Sequence, residues 1–374
     1  MKQSFDIVVA GGGPAGSAAA VDLSRRGFHV ALIEAALIEQ SSYDDFRVGE
    51  TLPPEIRVSL TKLGIWEQFL LTDRLESYGI RSAWETPVVR HRDFLFNPYG
   101  CGWHVDRARF DAMLACAAAR AGAELLTSAR ITGVDQDADG RWLLEIVQEG
   151  TRRRLCGGML IEATGRRASL AHKLGCRGRV VDRLIGAAAL LPRREITQGT
   201  LIEAVETGWW YSAPVPGDRM IFAYMTDSDL WRKSGGWRSL LKSAPLTWER
   251  AGAIEMLTPM RIVSAASVLR EPVHGPNWIA AGDAALAFDP LSGLGVHKAI
   301  ESGLRSSAAI TRFLEGDVEA MMEYENWTVE SFRSYLSMRS QFYGSVERWP
   351  GSLFWERRGA GDLARNRLRV SGNR

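Results

Sequence analysis

The sequence predicts an α/β protein: an alternating strand–helix core, interrupted by an antiparallel sheet and finished by a helical C-terminus. Three observations carry that expectation. Residues 5–34 run strand, glycine-rich turn, helix and strand without a break. The middle of the chain, Arg179 to Arg270, holds short apolar runs separated by Pro and Gly. Val296 to Arg339 reads as mainly helical. At 374 residues the chain is long enough for a large core and two substructures.

Phe5 to Ala10 is a short apolar strand that feeds into Gly11, Gly13 and Gly16, spaced G-x-G-x-x-G. Gly11 permits a tight turn, Gly13 lets a pyrophosphate approach the backbone, and Gly16 lets the following helix pack closely. Pro14 and Ala15 open that helix, whose N-terminus presents free N–H groups and a positive dipole end. Gly27 ends it, and a second strand, His29 to Ile33, closes on Glu34 and Ala35. A carboxylate there accepts hydrogen bonds from a ribose and repels a 2′-phosphate. The segment therefore predicts an adenine dinucleotide site.

Ala35 to Arg47 is polar and reads as a loop, and Pro53 to Leu71 as helical, with Ile56, Leu60, Leu63, Ile65 and Phe69 near helical spacing. Gly79 to Pro98 reads as strand and turn, with Trp84, Val88, Phe94 and Phe96 as inward candidates. Asp106 to Gly122 is an Ala-rich helix; Ala129 to Val134 and Trp142 to Val147 are strands joined across Asp137 to Gly140. Met159 to Thr164 is another strand. In the middle section Leu184 to Leu191, Thr200 to Val205, Trp209 to Ala213 and Met220 to Met225 are strand-like, with a helical excursion near Trp231 to Ser243. A core strand returns at Trp278 to Ala281. The expected division is a cofactor domain in three parts, 1–75, 101–178 and 273–315, a substrate domain in two, 76–100 and 179–272, and a helical region over 316–374. The basic stretch Arg357 to Arg374 reads as a surface helix or a tail.

Composition narrows the function. A formal net charge of +2 gives no electrostatic support for nucleic-acid binding. No apolar run approaches the roughly 20 residues of a membrane span. The first strand begins close to Met1, so the expected compartment is the cytoplasm. Cys101, Cys116, Cys156 and Cys176 lack C-x-x-C spacing, which suggests neither disulfides nor a metal site. Thirteen tryptophans are many, and several cluster at Trp209–Trp210, Trp231–Trp248 and Trp327–Trp355. Ordinary core packing and a broad aromatic cavity both account for them.

Further motifs point to one family. Trp278 to Gly303 reads WIAAGDAALAFDPLSGLGVHKAIESG. It resembles the glutathione-reductase-type FAD oxidoreductases, in the branch with aromatic hydroxylases, geranylgeranyl reductases and flavin-dependent halogenases. The resemblance implies a glutathione-reductase-type FAD-binding Rossmann domain, an inserted antiparallel-sheet substrate domain and a helical C-terminus. It places Asp283 on the ribityl chain, and the loop with Pro290, Gly293, Leu294 and Gly295 at the N1–C2 edge of the flavin. Donors there stabilise the negative charge of reduced flavin. Trp103 to Asp111 resembles the family segment whose arginine, here Arg107, contacts the cofactor. Ile161 to Arg166 resembles the strand end near the adenine, and Ile131 matches the strand bordering the adenine ring. No second nucleotide fingerprint follows, so electrons must come from transiently docked NAD(P)H or a partner flavin reductase.

Within that branch Arg47 to Pro53, RVGETLP, resembles the segment beside the flavin in halogenases and their hydroxylase relatives. Glu50 is the candidate acid, base or orienting group, and Arg47 a candidate to balance reduced-flavin charge. Two departures disfavour halogenation. Leu75 to Arg81 lacks the halogenase lysine, and W-x-W-x-I-P is here Trp209-Trp210-Tyr211-Ser212-Ala213-Pro214. The combination with ERWPGSLFWERR, Glu347 to Arg358, is most similar to the flavoproteins of LodB, GoxB and QhpG type, which mature quinone cofactors. That implies an FAD-dependent monooxygenase in which reduced FAD and O2 form a C4a-hydroperoxide that hydroxylates an aromatic small molecule or a tryptophan of a partner protein. Trp209, Tyr211 and Pro214 are the candidate pocket wall. A halogenase, a double-bond reductase and a flavin-stabilised binding protein are the competing readings. His104 and His297 are read as structural.

Overall fold

The computed structural model describes residues 3–44, 47–194, 199–252 and 255–359. Its core is an eight-stranded sheet. The strand Gln3–Ala10 pairs in parallel with Val30–Ile33 on one side and with the second half of the long strand Thr151–Glu162 on the other. Glu124–Leu126 and Trp278–Ala280 add parallel strands at either end of that group. Trp142–Gln148 and Ala129–Gln136 continue the sheet as an antiparallel meander on the first half of Thr151–Glu162. Ile7, Val8, Val9 and Ala10 are fully buried, as expected for a strand covered on both faces.

Two helices lie together on this sheet. The helix Gly295–Leu314 packs on Pro14–Arg25 so closely that a Cβ at Gly303 would stand 2.2 Å from the carbonyl oxygen of Ala15. Gly303 therefore sets the separation between the returning C-terminal segment and the glycine-rich helix.

The second layer is a seven-stranded sheet, in the order Arg261–Ser264, Leu184–Pro192, Arg219–Asp227, Gly208–Val215, Thr200–Val205, Gly79–Ala83, Arg90–Asp93. Its neighbours are antiparallel except Thr200–Val205 and Gly79–Ala83, which run in parallel. The excursion expected near Trp231 is three short helices, Ser228–Lys233, Trp237–Lys242 and Pro245–Ala251. The helix Ala320–Gly344 and the short helix Leu353–Glu356 lie over the other face. The basic tail beyond Gly359 lies outside the described residues. No helix among the described residues is long and apolar enough to cross a membrane.

Three local expectations change. The helix expected over Pro53 to Leu71 is two, Ile56–Lys62 and Trp66–Leu70, because Gly64 takes φ +59° and ends the first. Arg74–Ser77 joins Gly102–Val105 and Thr51–Leu52 in a separate three-stranded sheet, so the boundary placed at residue 75 falls inside a strand. Val88 and Phe96, expected to point inward, are 68% and 94% exposed, whereas Trp84 is buried. The strand Arg90–Asp93 is the last in its sheet and has nothing beyond it to bury them.

Candidate functional site

The dinucleotide cradle is built from the first strand and helix. Gly11 has φ +111°, and a Cβ there would stand 2.2 Å from the carbonyl oxygen of Ala163. A Cβ on Gly16 would stand 1.9 Å from the carbonyl oxygen of Gly11. A Cβ on Gly13, by contrast, would meet nothing within 4 Å. The helix Pro14–Arg25 starts with no side-chain cap, leaving its first N–H groups, that of Ala15 included, for an anion. Glu34 stands at the end of the second strand, where its carboxylate accepts from the Gly12 N–H at 2.9 Å and the Ala36 N–H at 3.0 Å. Ala35 follows it, and the Ala129 N–H donates to the Glu34 carbonyl at 2.9 Å, which brings the strand carrying Ile131 to the same end of the sheet. Glycines that cannot carry a side chain, an open approach at Gly13 and an uncapped helix start fit a dinucleotide.

Replacing Gly16 by alanine forces the turn and helix apart. FAD affinity is expected to fall roughly tenfold or more, equivalent to about 1.4 kcal/mol or greater. Titration of flavin fluorescence against the apoprotein measures it.

Arg47 lies against the Glu34 end of the cradle. Its guanidinium lies 3.6 Å from Glu34, 3.2 Å from Asp111 and 3.8 Å from the Tyr43 ring centroid. The structure thus places Arg47 beside Glu34, the acid expected to hold the ribose. Arg107 is pinned by a two-pronged pair with Asp111 at 2.9 Å and donates to the carbonyls of Val48 and Gly49 at 2.7 and 3.3 Å. It fixes the approach to Glu50.

The third part of the cradle is the loop 289–295. Pro290–Ser292 forms one tight turn, Gly293 has φ +63°, Leu294 caps the long helix and Gly295 begins it. Cβ atoms on Gly293 and Gly295 would meet nothing within 4 Å, so this backbone is open to a flat ligand. Asp283 lines the same cleft as Gly295, with its carboxylate 3.3 Å from Arg166. Asp289 anchors the loop from behind. It is fully buried, and it accepts from the Leu291 N–H at 2.9 Å and the Tyr343 hydroxyl at 2.8 Å.

Between the loop 47–52 and the seven-stranded sheet lies a buried polar group. Glu50 is 2% exposed, one oxygen accepts the Gly49 N–H at 3.0 Å, and Oε1 has no hydrogen-bond partner. Burial pushes its carboxyl up to about 7, against its own and Gly49's backbone N–H groups, which favour the charged form. Beside it, the Thr51 hydroxyl lies 2.6 Å from the Tyr211 hydroxyl, 3.0 Å from His104 Nδ1 and 3.3 Å from the Thr200 hydroxyl. His104 is fully buried, and burial with the nearby Arg250 lowers its ring to about 3, so it is neutral at physiological pH. Its Nε2 has no hydrogen-bond partner, and the tautomer sets whether Nδ1 donates to the Thr51 hydroxyl or accepts from it.

The strand Gly208–Val215 splits the expected pocket wall. Successive side chains alternate, so Trp209, Tyr211 and Ala213 share one face while Trp210, Ser212 and Pro214 share the other. Pro214 is thereby removed from the wall that holds Trp209 and Tyr211; it lines a separate cavity with Arg74 and Gly199. Trp209 is 1% exposed and donates its indole N–H to Tyr343 at 2.9 Å, so it stiffens the wall from within. His297 turns away to the Ser59 hydroxyl at 3.1 Å.

Thr51, His104 and Asp289 were absent from the sequence-based candidates for the site, as was Tyr343. Their contacts join residues 53 to 160 positions apart, which no local pattern reveals. The hints in the sequence are the place of Thr51 beside Glu50 and that of Asp289 at the head of the loop 289–295.

Known proteins share the sequence family and the fold that carry this site. A 28% identical relative, LodB of Marinomonas mediterranea, described by name as an FAD-dependent oxidoreductase, aligns over 96% of this chain and 98% of its own. The flavin-dependent halogenase CmlS superposes with a TM-score of 0.86 at 24% identity, over 99% of this chain and 71% of its own. The peptidyl tryptophan dihydroxylase QhpG superposes with a TM-score of 0.76 at 23% identity, over 95% and 78%. The FAD binding domain family model matches residues 4–325. The chain belongs to the FAD binding domain family and is an FAD-dependent oxidoreductase of the halogenase and hydroxylase fold.

Proposed function

We propose that this oxidoreductase is a monooxygenase that hydroxylates an aromatic ring, and that the ring is a tryptophan side chain of a partner polypeptide. The observation that carries the reading is Glu50, a buried carboxyl with one free oxygen and a proton affinity near neutrality, set beside Tyr211, Thr51 and His104. Reduced FAD with O2 supplies an electrophilic oxygen atom; the chain supplies the rest. Glu50 Oε1 takes the proton that the ring loses on substitution, a task suited to a group that titrates near the working pH. Tyr211, held by Thr51, fixes one edge of the ring, and the Trp209 wall excludes water. The fold shared with the peptidyl tryptophan dihydroxylase QhpG supports a polypeptide substrate.

Removing the Tyr211 hydroxyl tests the positioning role. Tyr211→Phe should lower kcat about two- to tenfold, the net worth of one hydrogen bond, with little change in KM. Steady-state kinetics read the split.

The likeness to CmlS favours halogenation as the second reading. Against it, the polar groups gathered here are Glu50, Thr51, His104, Thr200 and Tyr211, with no lysine among them in the described residues. The experiment is anaerobic titration of the holoprotein with NADH, then NADPH, then a partner flavin reductase, followed by oxygen with a tryptophan peptide and bromide present. An oxygenated peptide supports the proposal, and a brominated one supports the alternative.

A further inference from the structure

The segment Glu347 to Arg358 is held by its side chains more than by secondary structure. It follows the helix Ala320–Gly344 and carries the short helix Leu353–Glu356. Its side chains grip the backbone of one neighbouring stretch. Arg348 Nη1 donates to the Ala204 carbonyl at 3.4 Å, Trp355 Nε1 to that of Val205 at 3.1 Å and the Ser352 hydroxyl to that of Glu206 at 2.6 Å. The segment therefore lies as a strap across the end of the strand Thr200–Val205. Val346, Phe354 and Trp355 are buried with Trp84 and Trp209, and Val48, Tyr211 and Leu291 border the same cluster.

An ion pair closes the strap from within this apolar seat. Arg358 is 1% exposed; it donates through Nη1 to the Phe354 carbonyl at 2.9 Å and through Nη2 to Asp227, which is 1% exposed itself. Arg357 holds the other oxygen of Asp227 at 2.7 Å and reaches Asp229 at 2.8 Å, which Arg183 also faces at 3.9 Å. Apolar side chains of similar volume would stabilise such a seat as well or better, because buried charges lose their hydration. What the pair adds is register. A buried guanidinium can rest only where its carboxylate stands.

That register is passed on to the flavin loop. The Arg358 guanidinium lies 3.9 Å from the Phe354 ring centroid and 5.4 Å from that of Tyr343. Trp355 meets Trp84 edge-on at 5.4 Å, and Trp84 meets Tyr343 and Trp209 in the same way at 5.7 and 6.1 Å. The Tyr343 hydroxyl then joins Trp209 to Asp289, whose carboxylate holds the Leu291 N–H. Close-packed rings leave no slack, so the strap cannot shift without moving Tyr343.

We propose that Arg358 is a positioning residue: by seating the strap 346–358 it holds the aromatic wall and the loop 289–295 in one arrangement, which couples oxidation of the reduced flavin to oxygenation of the ring. In the seated site one atom of O2 enters the ring and the other leaves as water. With the strap loose, water reaches the site; O2 takes two electrons and two protons, leaves as hydrogen peroxide, and the ring stays unchanged. The oxygenated product rests on the monooxygenase reading above; the link from strap to loop does not.

Hydrogen–deuterium exchange on the FAD-loaded protein tests the link. Arg358→Met keeps the bulk and leaves Asp227 its bond from Arg357. In this variant the amides of both 346–358 and 289–295 should exchange about tenfold faster, with FAD content unchanged. D227N/R358M removes both charges together and should do the same; it decides the matter if the single variant does not fold. Faster exchange in the strap alone, or in neither segment, overturns the proposal. A single turnover gives the second reading: the protein is reduced with dithionite, then mixed with oxygen and a tryptophan peptide. The ratio of oxygenated peptide to hydrogen peroxide should fall about tenfold or more in Arg358→Met. An unchanged ratio in a variant whose strap exchanges faster overturns the coupling. Linked exchange of the two segments, with no oxygenated peptide even from the wild type, upholds the link and sinks the monooxygenase reading.

Discussion

Glu50→Gln is expected to lower aromatic hydroxylation by about a hundred- to ten-thousand-fold, the range for removing a general base. The amide keeps the shape and the bond from Gly49 but cannot take a proton at its free oxygen. The rate of flavin reduction should stay near that of the wild type, because that step needs no base at Glu50. A pH profile adds a second reading: the wild-type rate should inflect near 7, where Glu50 titrates, and the variant should lose that inflection. His104 contributes no inflection above pH 5, since its ring is held neutral down to about 3.

Stability should move in the opposite direction. Unfolded, Glu50 gives up its proton near 4.5; folded, it keeps it to about 7. The native state therefore binds more protons across this window, and raising pH destabilises it. The favourable contribution of the protonated group is complete below pH 4.5 and is lost as pH rises through 7. Above that, the buried charge costs on the order of 3 kcal/mol, which glutamine does not incur. Glu50→Gln should thus be more heat-stable than the wild type at pH 8 and equal to it near pH 4, by thermal unfolding of the apoprotein. Equal stability at both would show that Glu50 is not buried as described.

Asp289→Ala is the second large effect, a loss of about 3–5 kcal/mol with early release of FAD on heating. The carboxylate is fully buried and gathers the Leu291 N–H, the Tyr343 hydroxyl and Arg339 Nε at 2.9, 2.8 and 3.4 Å. Without it, among the described residues, Tyr343 keeps the hydrogen bond from Trp209 and Arg339 keeps its ion pair with Asp182 at 2.9 Å. The loop 289–295 would lose its anchor to the helix Ala320–Gly344 and to the aromatic wall together. Thermal scans that follow both flavin fluorescence and circular dichroism would separate cofactor release from global unfolding. Coincident, unshifted transitions would contradict the anchoring role.

What could be read in advance follows from the range of each interaction. The cradle of Gly11, Gly13, Gly16 and Glu34 is written within 24 consecutive residues, so its chemistry is local and legible. The loop 289–295 carries an equally compact signature. The contacts of Arg47 are not legible, because nothing near it in sequence shows that the chain folds back to Asp111 and Glu34. Pro214 was grouped with Trp209 because motif spacing ignores the two-residue period of a strand. Val88 and Phe96 read as inward because their apolar character is visible and the edge position of the strand between them, Arg90–Asp93, is not. The group of Thr51, His104, Thr200 and Tyr211 exists only where three strands and a loop converge, and that convergence is a property of topology.

The most direct test of the account is mass spectrometry of a tryptophan-containing peptide after turnover by the reduced holoprotein under isotopically heavy oxygen gas, with bromide present. Heavy oxygen in the indole ring of the peptide, lost in Glu50→Gln, is the predicted result. Bromine in the ring, or oxygen drawn only from water, would contradict it.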